Sequence, residues 1–322
     1  MTYWGNIKNG SPMGLSIAFS LSLAFFYMAT PVFADDVPFE EARTFTTEDG
    51  WTLKGTYYNM RFDDPNEGVQ RPVVLLLPGD RGNRLHWEGQ AGFASTLRNS
   101  GYAVLTLDPR KYGESTPPAN VKNVVKEMRP ADYADVLRYD LEAVKLFLFE
   151  EHQQKNLNMA KLAIIAPESL APVAMGFTVR DWKKVPYRDA ATLDSRTPRG
   201  QDVKALVVIS PEVNLPGISG KSALLQLRRP FYDVAIMTVA GDNDKTGKES
   251  SDLIYTYLTG NKESDKDDMR MFYKKIYPKY GDRGTELISR NQQMATDILE
   301  FLNSHVLKKS IPWQDRRSRF ER

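Results

Sequence analysis

Residues 101–116 read GYAVLTLDPRKYGEST, an apolar run that passes directly into an aspartate, an arginine, a glycine and a serine. A short continuous apolar run bounded by turn residues indicates a β-strand that is buried on both of its faces. Strands of that kind are typical of parallel sheets covered by helices. The stretch therefore predicts an α/β protein, and it places polar residues at the carboxyl end of a strand, where such sheets bind ligands.

Similar apolar runs recur along the chain and alternate with segments that have helical spacing. Buried strands are predicted within residues 71–84, 101–110, 161–166, 203–210 and 234–244, after a hairpin at 43–59 and before a shorter strand at 271–278. Helices are predicted over residues 88–99, 131–151, 167–182, 250–258 and 285–306. This alternation predicts a mostly parallel central sheet with helices on both faces.

Taken in order, these strand ends resemble the α/β-hydrolase superfamily, including its serine-aminopeptidase-like and dienelactone-hydrolase-like members. The most specific match is residues 101–116, which are similar to the Asp-x-Arg-x-x-Gly-x-Ser segment of that family. Residues 75–84, LLLPGDRGNR, resemble the strand that leads into the oxyanion loop, with Pro78 where a histidine often stands. The resemblance covers residues 43–306. It implies an α/β-hydrolase fold, and the short interval between strands after residue 210 implies no large lid domain.

The resemblance also implies a strained turn after the strand at 161–166, where such hydrolases hold their nucleophile. Residues 162–174 read LAIIAPESLAPVA, and two registers are open. In the first, Glu168 takes the nucleophile position; in the second, Ser169 takes it. Because the family places its first glycine directly after the apolar strand, the first register is favoured. Neither register has both of the small flanking residues that the turn wants.

The general base is missing from the place where the family carries it. The loop between the last strand and the last helix, residues 277–288, reads YPKYGDRGTELI and contains no histidine. Arg283 stands where the histidine is expected, and an arginine stays protonated and cannot accept a serine proton. Of the three histidines, His86 follows the oxyanion-like loop and is expected to be partly exposed, His152 lies in a charged helix end and is expected to be solvated, and His305 lies far along the last helix.

Two aspartates in the turn AGDNDK suit the acid of the family's triad. Asp244 matches the family spacing better than Asp242 does. The three triad positions would then hold Glu168, Asp244 and Arg283, whose opposite charges predict an ion-paired cluster with Arg283 between the two carboxylates. The oxyanion-like loop can still present backbone N–H groups; it consists of Gly79, Asp80, Arg81 and Gly82.

The N-terminal residues indicate export. The apolar run at 13–29 is followed by TPVFA, whose end at Ala34 fits an A-x-A-like cleavage pattern. We therefore expect a signal peptide at 1–34, an α/β-hydrolase-like domain at 35–308 and a solvated basic tail at 309–322. The mature protein would be secreted or periplasmic, without a stable membrane span. An N-terminal membrane anchor formed by the same apolar run is the alternative.

The amino-acid composition excludes several kinds of functional site. The chain of 322 residues has no cysteine, which excludes disulfides, thiolate catalysis and cysteine metal sites. Its 43 basic and 41 acidic residues give a net charge of +2, and such a balance provides no reason to expect nucleic acid. The sequence has neither a phosphate-binding glycine loop nor a histidine–carboxylate cluster, so neither a cofactor nor a metal is expected.

These observations lead to one functional hypothesis and one alternative. The hypothesis is an exported pseudo-hydrolase with a degenerate triad, which binds or scaffolds a ligand or protein partner that the sequence does not identify. The alternative is an active serine hydrolase of ester or peptide bonds, with Ser169 as nucleophile and Asp242 or Asp244 nearby. Its base is non-standard and not identified by the sequence, with His86 as a candidate. The position of the Ser169 hydroxyl relative to His86 separates the two.

Overall fold

The computed structural model describes residues 37–61, 64–89, 92–122, 125–260 and 271–322. Its strands are β1 Val37–Thr46, β2 Thr52–Arg61, β3 Val73–Leu76, β4 Ala103–Asp108, β5 Leu162–Pro167, β6 Val203–Ile209, β7 Asn214–Leu215, β8 Ile218–Ser219, β9 Ala235–Gly241 and β10 Phe272–Tyr277. Its α-helices are α1 Pro65–Gly68, α2 Phe93–Asn99, α3 Pro130–Asp135, α4 Leu141–Gln153, α5 Leu170–Trp182, α6 Gly220–Leu227, α7 Lys245–Thr259, α8 Gly284–Arg290 and α9 Gln292–Leu302. The signal peptide at 1–34 lies outside the described residues and stays a prediction.

The described strands form an eight-stranded sheet in the order β1-β2-β4-β3-β5-β6-β9-β10. β2 pairs antiparallel with both β1 and β4. The other neighbouring strands of this eight-stranded sheet pair in parallel. The central strands are buried along their whole length, as their continuous apolar sequences predict. The expected fold class, a mostly parallel sheet between two helical layers, is confirmed.

Successive side chains of each central strand enter opposite cores. In β5, Ile164 packs in a core that includes residues of α4 and α5, such as Leu148 and Phe177. Its neighbour Ile165 packs in the other core, which includes residues of α2 and α9. Because adjacent residues of a strand point to opposite faces, a strand buried on both faces needs apolar residues at every position.

The parallel strands give the sheet two functionally different edges. The residues after β3, β5, β6, β9 and β10 all lie at one edge, here called the carboxyl edge. The opposite edge, here called the amino edge, carries the loops that precede β6 and β9 and the C-terminal end of α5. Between β6 and β9 the chain holds only β7, β8 and the short helix α6, which agrees with the expected absence of a large lid.

Arg110, in the Asp-x-Arg-x-x-Gly-x-Ser segment, connects three parts of the fold. Arg110 is buried, with 2% of its side chain exposed, and its Nε and Nη2 donate to Asp140 Oδ1 at 2.9 and 2.7 Å. Its Nη1 donates to Asp49 Oδ2 at 2.8 Å and lies 3.2 Å from Asp135 Oδ2. One guanidinium therefore joins the β1–β2 turn, the loop after β4 and the segment between α3 and α4.

The C-terminal tail packs on the domain, so the expectation that residues 309–322 are solvated is wrong. Arg316 is buried and forms an ion pair with Asp202, which is fully buried. Trp313 donates from Nε1 to the His152 carbonyl at 3.0 Å and stacks on the His152 ring. His152 is itself fully buried, contrary to its expected solvation. One basic residue of the tail, Arg316, thus supplies counter-charge to a buried carboxylate. That role is not visible in the local sequence.

Candidate functional site

The turn between β5 and α5 places Glu168 at its apex. Glu168 has a φ of +48°, in the left-handed region that non-glycine residues rarely adopt. Ser169 already has helical angles, with φ −66° and ψ −20°, and it precedes the first residue of α5. In the hydrolase-type elbow, the strained residue is the one that faces the site. Of the two registers, the structure therefore adopts the one with Glu168 at the apex.

Backbone hydrogen bonds to the neighbouring strand and to α5 hold Glu168 in this strained conformation. Its N–H donates to the Ile209 carbonyl at 2.9 Å, and its carbonyl accepts from Glu212 N and Ala171 N, both at 3.1 Å. Strain of this kind persists only where the surroundings determine the conformation. Since Ile209 is the last residue of β6, a hydrogen bond to the adjacent strand helps to hold the conformation of the turn, together with the bond to α5.

Two glycines make room for the Glu168 carboxylate. A Cβ placed on Gly79 or on Gly284 would lie 2.7 Å from Glu168 Oε2, closer than real Cβ contacts allow. Gly284 also has a φ of +55°, which suits glycine. The Asp80 N–H donates to the same oxygen at 2.9 Å. The carboxylate is therefore enclosed between the loop after β3 and the start of α8.

The Ser169 hydroxyl has a carboxylate partner and no histidine. Ser169 Oγ donates to Asp80 Oδ2 at 2.9 Å, and Ser169 N donates to Asp80 Oδ1 at 3.1 Å. Ser169 is 5% exposed. Within the described part of the chain, His86 has another partner: its Nδ1 lies 3.3 Å from Thr285 Oγ1. The contact between the Ser169 hydroxyl and His86, the candidate base of the serine-hydrolase alternative, is not formed.

The two backbone N–H groups that correspond to the oxyanion donors of α/β-hydrolases donate to carboxylates of this chain. In such hydrolases the oxyanion position is formed by the N–H after the nucleophile and by an N–H of the loop after the third strand. The corresponding groups here are Ser169 N and Asp80 N. The first donates to the Asp80 carboxylate, and the second donates to Glu168. In the register with Glu168 at the apex, each of these two donors already has an anionic acceptor.

Arg283 lies between the two carboxylates. Its Nε is 3.5 Å from Glu168 Oε1 and 3.6 Å from Asp244 Oδ2, while its Nη2 donates to the Ser210 carbonyl at 3.4 Å. These are ion-pair distances and not hydrogen bonds of normal length. The structure thus brings the three residues together, without the two-pronged hydrogen bonding that a guanidinium can form. Asp244 also caps α7, because its Oδ1 accepts from Gly247 N at 3.0 Å.

Other predicted site residues lie near this cluster and have different partners. Asp242, the second candidate for the acid, is exposed and pairs with Lys248. Arg81 is exposed on the wall of the adjoining cavity, and Gly82 lies beside the His86 ring. Ser210 directly follows β6. It has a φ of +46° and is fully buried, and its hydroxyl has no hydrogen-bond partner among the described residues.

A polar cavity of about 370 Å³ opens in front of Glu168. Its lining includes five carboxylates and only two guanidinium groups, those of Arg81 and Arg283. The carboxylates belong to Asp80, Glu168, Glu212, Asp282 and Glu286. Sequence reasoning missed Glu212 and Thr285, which also line it; both follow strand ends, and that position was their only signal. Among the described residues, no group of three or more histidines and carboxylates is arranged to hold a metal.

Burial is the main influence on the pKa of two carboxyl groups that line the cavity. It raises the pKa of Glu168 above the ordinary value, although the Asp80 N–H and Arg283 act in the opposite direction. Burial also raises the pKa of Glu212, and the nearby charge of Asp80 adds to that effect. Raised pKa values in a cavity indicate charges that the fold leaves incompletely compensated.

Glu168→Gln tests this incompletely compensated charge. Because the pKa of Glu168 is raised in the folded chain, the folded state binds the proton more tightly than the unfolded state does. The contribution of Glu168 to stability is therefore lost as the pH rises through its raised pKa. Glutamine keeps an acceptor for the Asp80 N–H and cannot ionise. We expect the unfolding free energy of the wild type, relative to the variant, to fall in urea titrations as the pH rises above the ordinary pKa of glutamate, about 4.3.

The matched control is Glu286→Gln, which removes an exposed carboxylate from the same cavity. It is expected to show a weaker pH trend relative to the wild type. Equal trends in the two variants would contradict the assignment of the effect to the enclosed position of Glu168.

Comparison with known proteins identifies the fold. No protein-family model matches the chain, and no curated protein matches it either. Solved structures do match. An esterase of Pyrococcus furiosus aligns with a TM-score of 0.53 at 15% identity, over 83% of this chain and 93% of its own. A predicted CIB-like hydrolase of Thermoplasma acidophilum aligns with a TM-score of 0.51 at 14% identity, over 82% of this chain and 98% of its own.

A larger enzyme shares the same architecture. An acylaminoacyl peptidase of Pyrococcus horikoshii aligns with a TM-score of 0.54 at 11% identity, over 87% of this chain and 44% of its own. At such identities the likeness shows the fold alone. The chain has the α/β-hydrolase fold, as the resemblance of its strand ends implied.

Proposed function

We propose that this α/β-hydrolase-fold protein is a non-catalytic binding protein whose carboxyl-edge cavity receives a ligand or a partner side chain. The observation that carries the proposal is the occupation of both oxyanion donors, Asp80 N and Ser169 N, by carboxylates of the chain itself. Stabilisation of the oxyanion is one of the largest contributions to acyl transfer. A site whose donors are already bonded to anions lacks that contribution.

The residues at the triad positions also fail the chemical requirements of acyl transfer. Arg283 cannot accept a proton, so it can activate neither a hydroxyl nor a water molecule. A carboxylate at the apex, such as Glu168, would form a mixed anhydride on attack at an acyl carbon, with release of the leaving group. Hydrolysis of that anhydride needs an activated water, and Arg283, at the position of the family's histidine, cannot accept the proton of that water. The groups support binding, orientation and charge pairing.

The charge of the cavity favours a cationic ligand group. Its five carboxylates outnumber the two guanidinium groups, and burial leaves the charges of Glu168 and Glu212 incompletely compensated. A protonated amine or guanidinium of a ligand would lower the cost of these charges. If the predicted export signal is used, this binding takes place outside the cytoplasm.

The alternative function, an active serine hydrolase of ester or peptide bonds, rests on a different contact. The Ser169 hydroxyl donates to Asp80, so a carboxylate stands where a base would be needed. Some solved structures with this fold are an esterase and an acylaminoacyl peptidase. In this alternative, Asp80 would have to take the Ser169 proton, and Ser169 would have to leave the helical conformation in which it is held.

Labelling with a fluorophosphonate probe separates the two functions. We expect no labelling above that of the Ser169→Ala variant, because the hydroxyl is buried and lacks a histidine base. Loss of the base and of the oxyanion donors lowers acyl transfer by about four orders of magnitude or more. A known active serine hydrolase, labelled in parallel, shows that the probe is reactive. Stoichiometric labelling of the wild type that disappears in Ser169→Ala would overturn the proposal and establish the alternative.

A further inference from the structure

A second cavity lies at the amino edge, at the opposite end of the strands from Glu168. It has a volume of about 840 Å³ and is formed by the end of α5, the loop before β6 and the C-terminal tail. Because α5 begins next to Glu168 and runs for 13 residues, its two ends are about 20 Å apart at 1.5 Å per residue. We call this cavity the amino-edge groove. It shares no lining residue with the carboxyl-edge cavity.

The amino-edge groove is basic. Six of its lining residues are lysines or arginines, and only two, Asp194 and Asp315, are acidic. The basic residues are Lys183, Lys184, Arg196, Arg199, Arg319 and Arg322. This charge contrasts with the near-neutral chain as a whole and with the acidic cavity at the other edge.

The guanidinium groups of three of these arginines contact neutral groups of the protein. Arg196 Nε donates to the Ala190 carbonyl at 3.0 Å, and Arg319 Nη2 donates to the Ser195 carbonyl at 2.6 Å. The Arg199 guanidinium lies 5.0 Å from the centre of the Tyr187 ring. Within the described ranges, no carboxylate forms an ion pair with Arg196, Arg199 or Arg319. Guanidinium groups that are oriented in this way can bind an anion of a ligand or partner, and phosphate in particular.

Exposed apolar side chains line the same groove. Val185, Leu193 and Phe231 are 65%, 62% and 62% exposed, which is unusual for residues of this size in one place. Apolar side chains surrounded by polar residues mark surfaces that contact another protein or a membrane. A small soluble anion would occupy the arginines and leave these three side chains in water, so the combination favours an anionic partner with an apolar interior.

We propose that the amino edge docks on an anionic phospholipid bilayer. Lipid phosphates bind between Arg196, Arg199 and Arg319, and the apolar side chains Val185, Leu193 and Phe231 enter the interfacial layer. Basic residues near a bilayer surface gain affinity from its anionic lipids, and the apolar side chains add affinity that salt does not screen. Docking in this orientation turns the carboxyl-edge cavity away from the membrane, toward soluble partners.

The test is flotation of the full chain with lipid vesicles. One set contains phosphatidylcholine alone, and the other contains phosphatidylglycerol as well. The triple variant Arg196→Gln/Arg199→Gln/Arg319→Gln is expected to lose roughly 100-fold in partitioning to the anionic vesicles, since each basic residue contributes about a fivefold factor at such a surface. Residues before Val37 are common to all proteins compared, so their own affinity for lipid cancels from the difference.

The matched control is Lys126→Gln/Lys245→Gln/Lys279→Gln, which removes the same charge from exposed lysines outside the groove. It is expected to leave partitioning nearly unchanged, because charges farther away than the Debye length are screened. A second variant, Val185→Ser/Leu193→Ser/Phe231→Ser, is expected to lose the binding that remains at high salt. Circular dichroism and urea unfolding verify that each variant is folded.

Three outcomes would overturn the proposal. The first is equal partitioning to neutral and anionic vesicles. The second is an equal loss in the arginine and the lysine triple variants, since the effect would then reflect net charge. The third is retention of vesicle binding in a folded arginine variant that has lost binding to an acidic polypeptide such as polyglutamate. That result would assign the groove to an acidic protein partner. None of these outcomes bears on the fluorophosphonate test of the carboxyl-edge site.

Discussion

Arg110→Met is expected to lower the free energy of unfolding by about 3–5 kcal/mol, the usual cost of leaving a buried charge without its partner. Arg110 provides the ion-pair contacts described for Asp140, whose side chain is fully buried. Burial already raises the pKa of Asp140 to about 6 with the arginine present. Without the arginine, the carboxyl group must ionise in the core or keep its proton at neutral pH.

Urea unfolding at two pH values measures this effect. The loss is expected to be larger at neutral pH than at about pH 5, because protonation removes the unpaired charge of Asp140. The double variant Arg110→Met/Asp140→Leu should recover much of the stability, since apolar residues often replace a buried ion pair without loss. Arg138→Met removes an exposed arginine nearby and serves as the control. A loss in Arg110→Met no greater than in Arg138→Met would show that the network carries little energy.

Arg316→Met is expected to destabilise the protein by a similar amount, about 3–5 kcal/mol, for the same physical reason. Asp202 and Asp181 are both fully buried, and without Arg316 they would share only the ammonium group of Lys145. Although burial alone would raise it, Arg316 and Lys145 hold the pKa of Asp202 well below its ordinary value. The stability that depends on this charge is present at neutral pH and is lost as pH falls through the acid range.

The neighbouring residue provides the control for this second variant. Arg317 is exposed and pairs only with Asp315 in the same tail, so Arg317→Met should leave the midpoint of urea unfolding nearly unchanged. Limited proteolysis adds a local readout: in Arg316→Met, cleavage within residues 309–322 should become faster than in Arg317→Met. Equal midpoints and equal cleavage rates for the two variants would mean that the tail packs without the help of its buried arginine.

The strands were predictable because burial on both faces leaves a signal in the local sequence. The run at 161–166, for example, corresponds to β5 at Leu162–Pro167. The ends of helices were harder to predict. The helix predicted over 285–306 is divided into α8 and α9 at Asn291, whose side chain accepts from Met294 N at 3.1 Å and caps α9. An apolar pattern that continues across such a cap does not reveal the break.

The candidate site was predictable in position and only partly in detail. The resemblance to the α/β-hydrolase family implied the apex position of Glu168, directly after the apolar run. It also implied the place of Arg283, in the loop before the last helix. The two contacts made by the Asp80 carboxylate could not be predicted, because they depend on how a loop turns after β3. The partners of Arg316 were hidden for a related reason: Asp202 lies 114 residues earlier in the chain.

The hydrogen bonds of Asp80 N and Ser169 N also determine what a ligand in the cavity would have to displace. The carboxylates that fill them are tethered to the same chain, so they are present at an effective concentration that a free ligand does not reach. Any oxyanion that formed in the cavity would first have to displace an intramolecular competitor. Under the proposed binding function, the chain thus supplies its own competitor for these two donors.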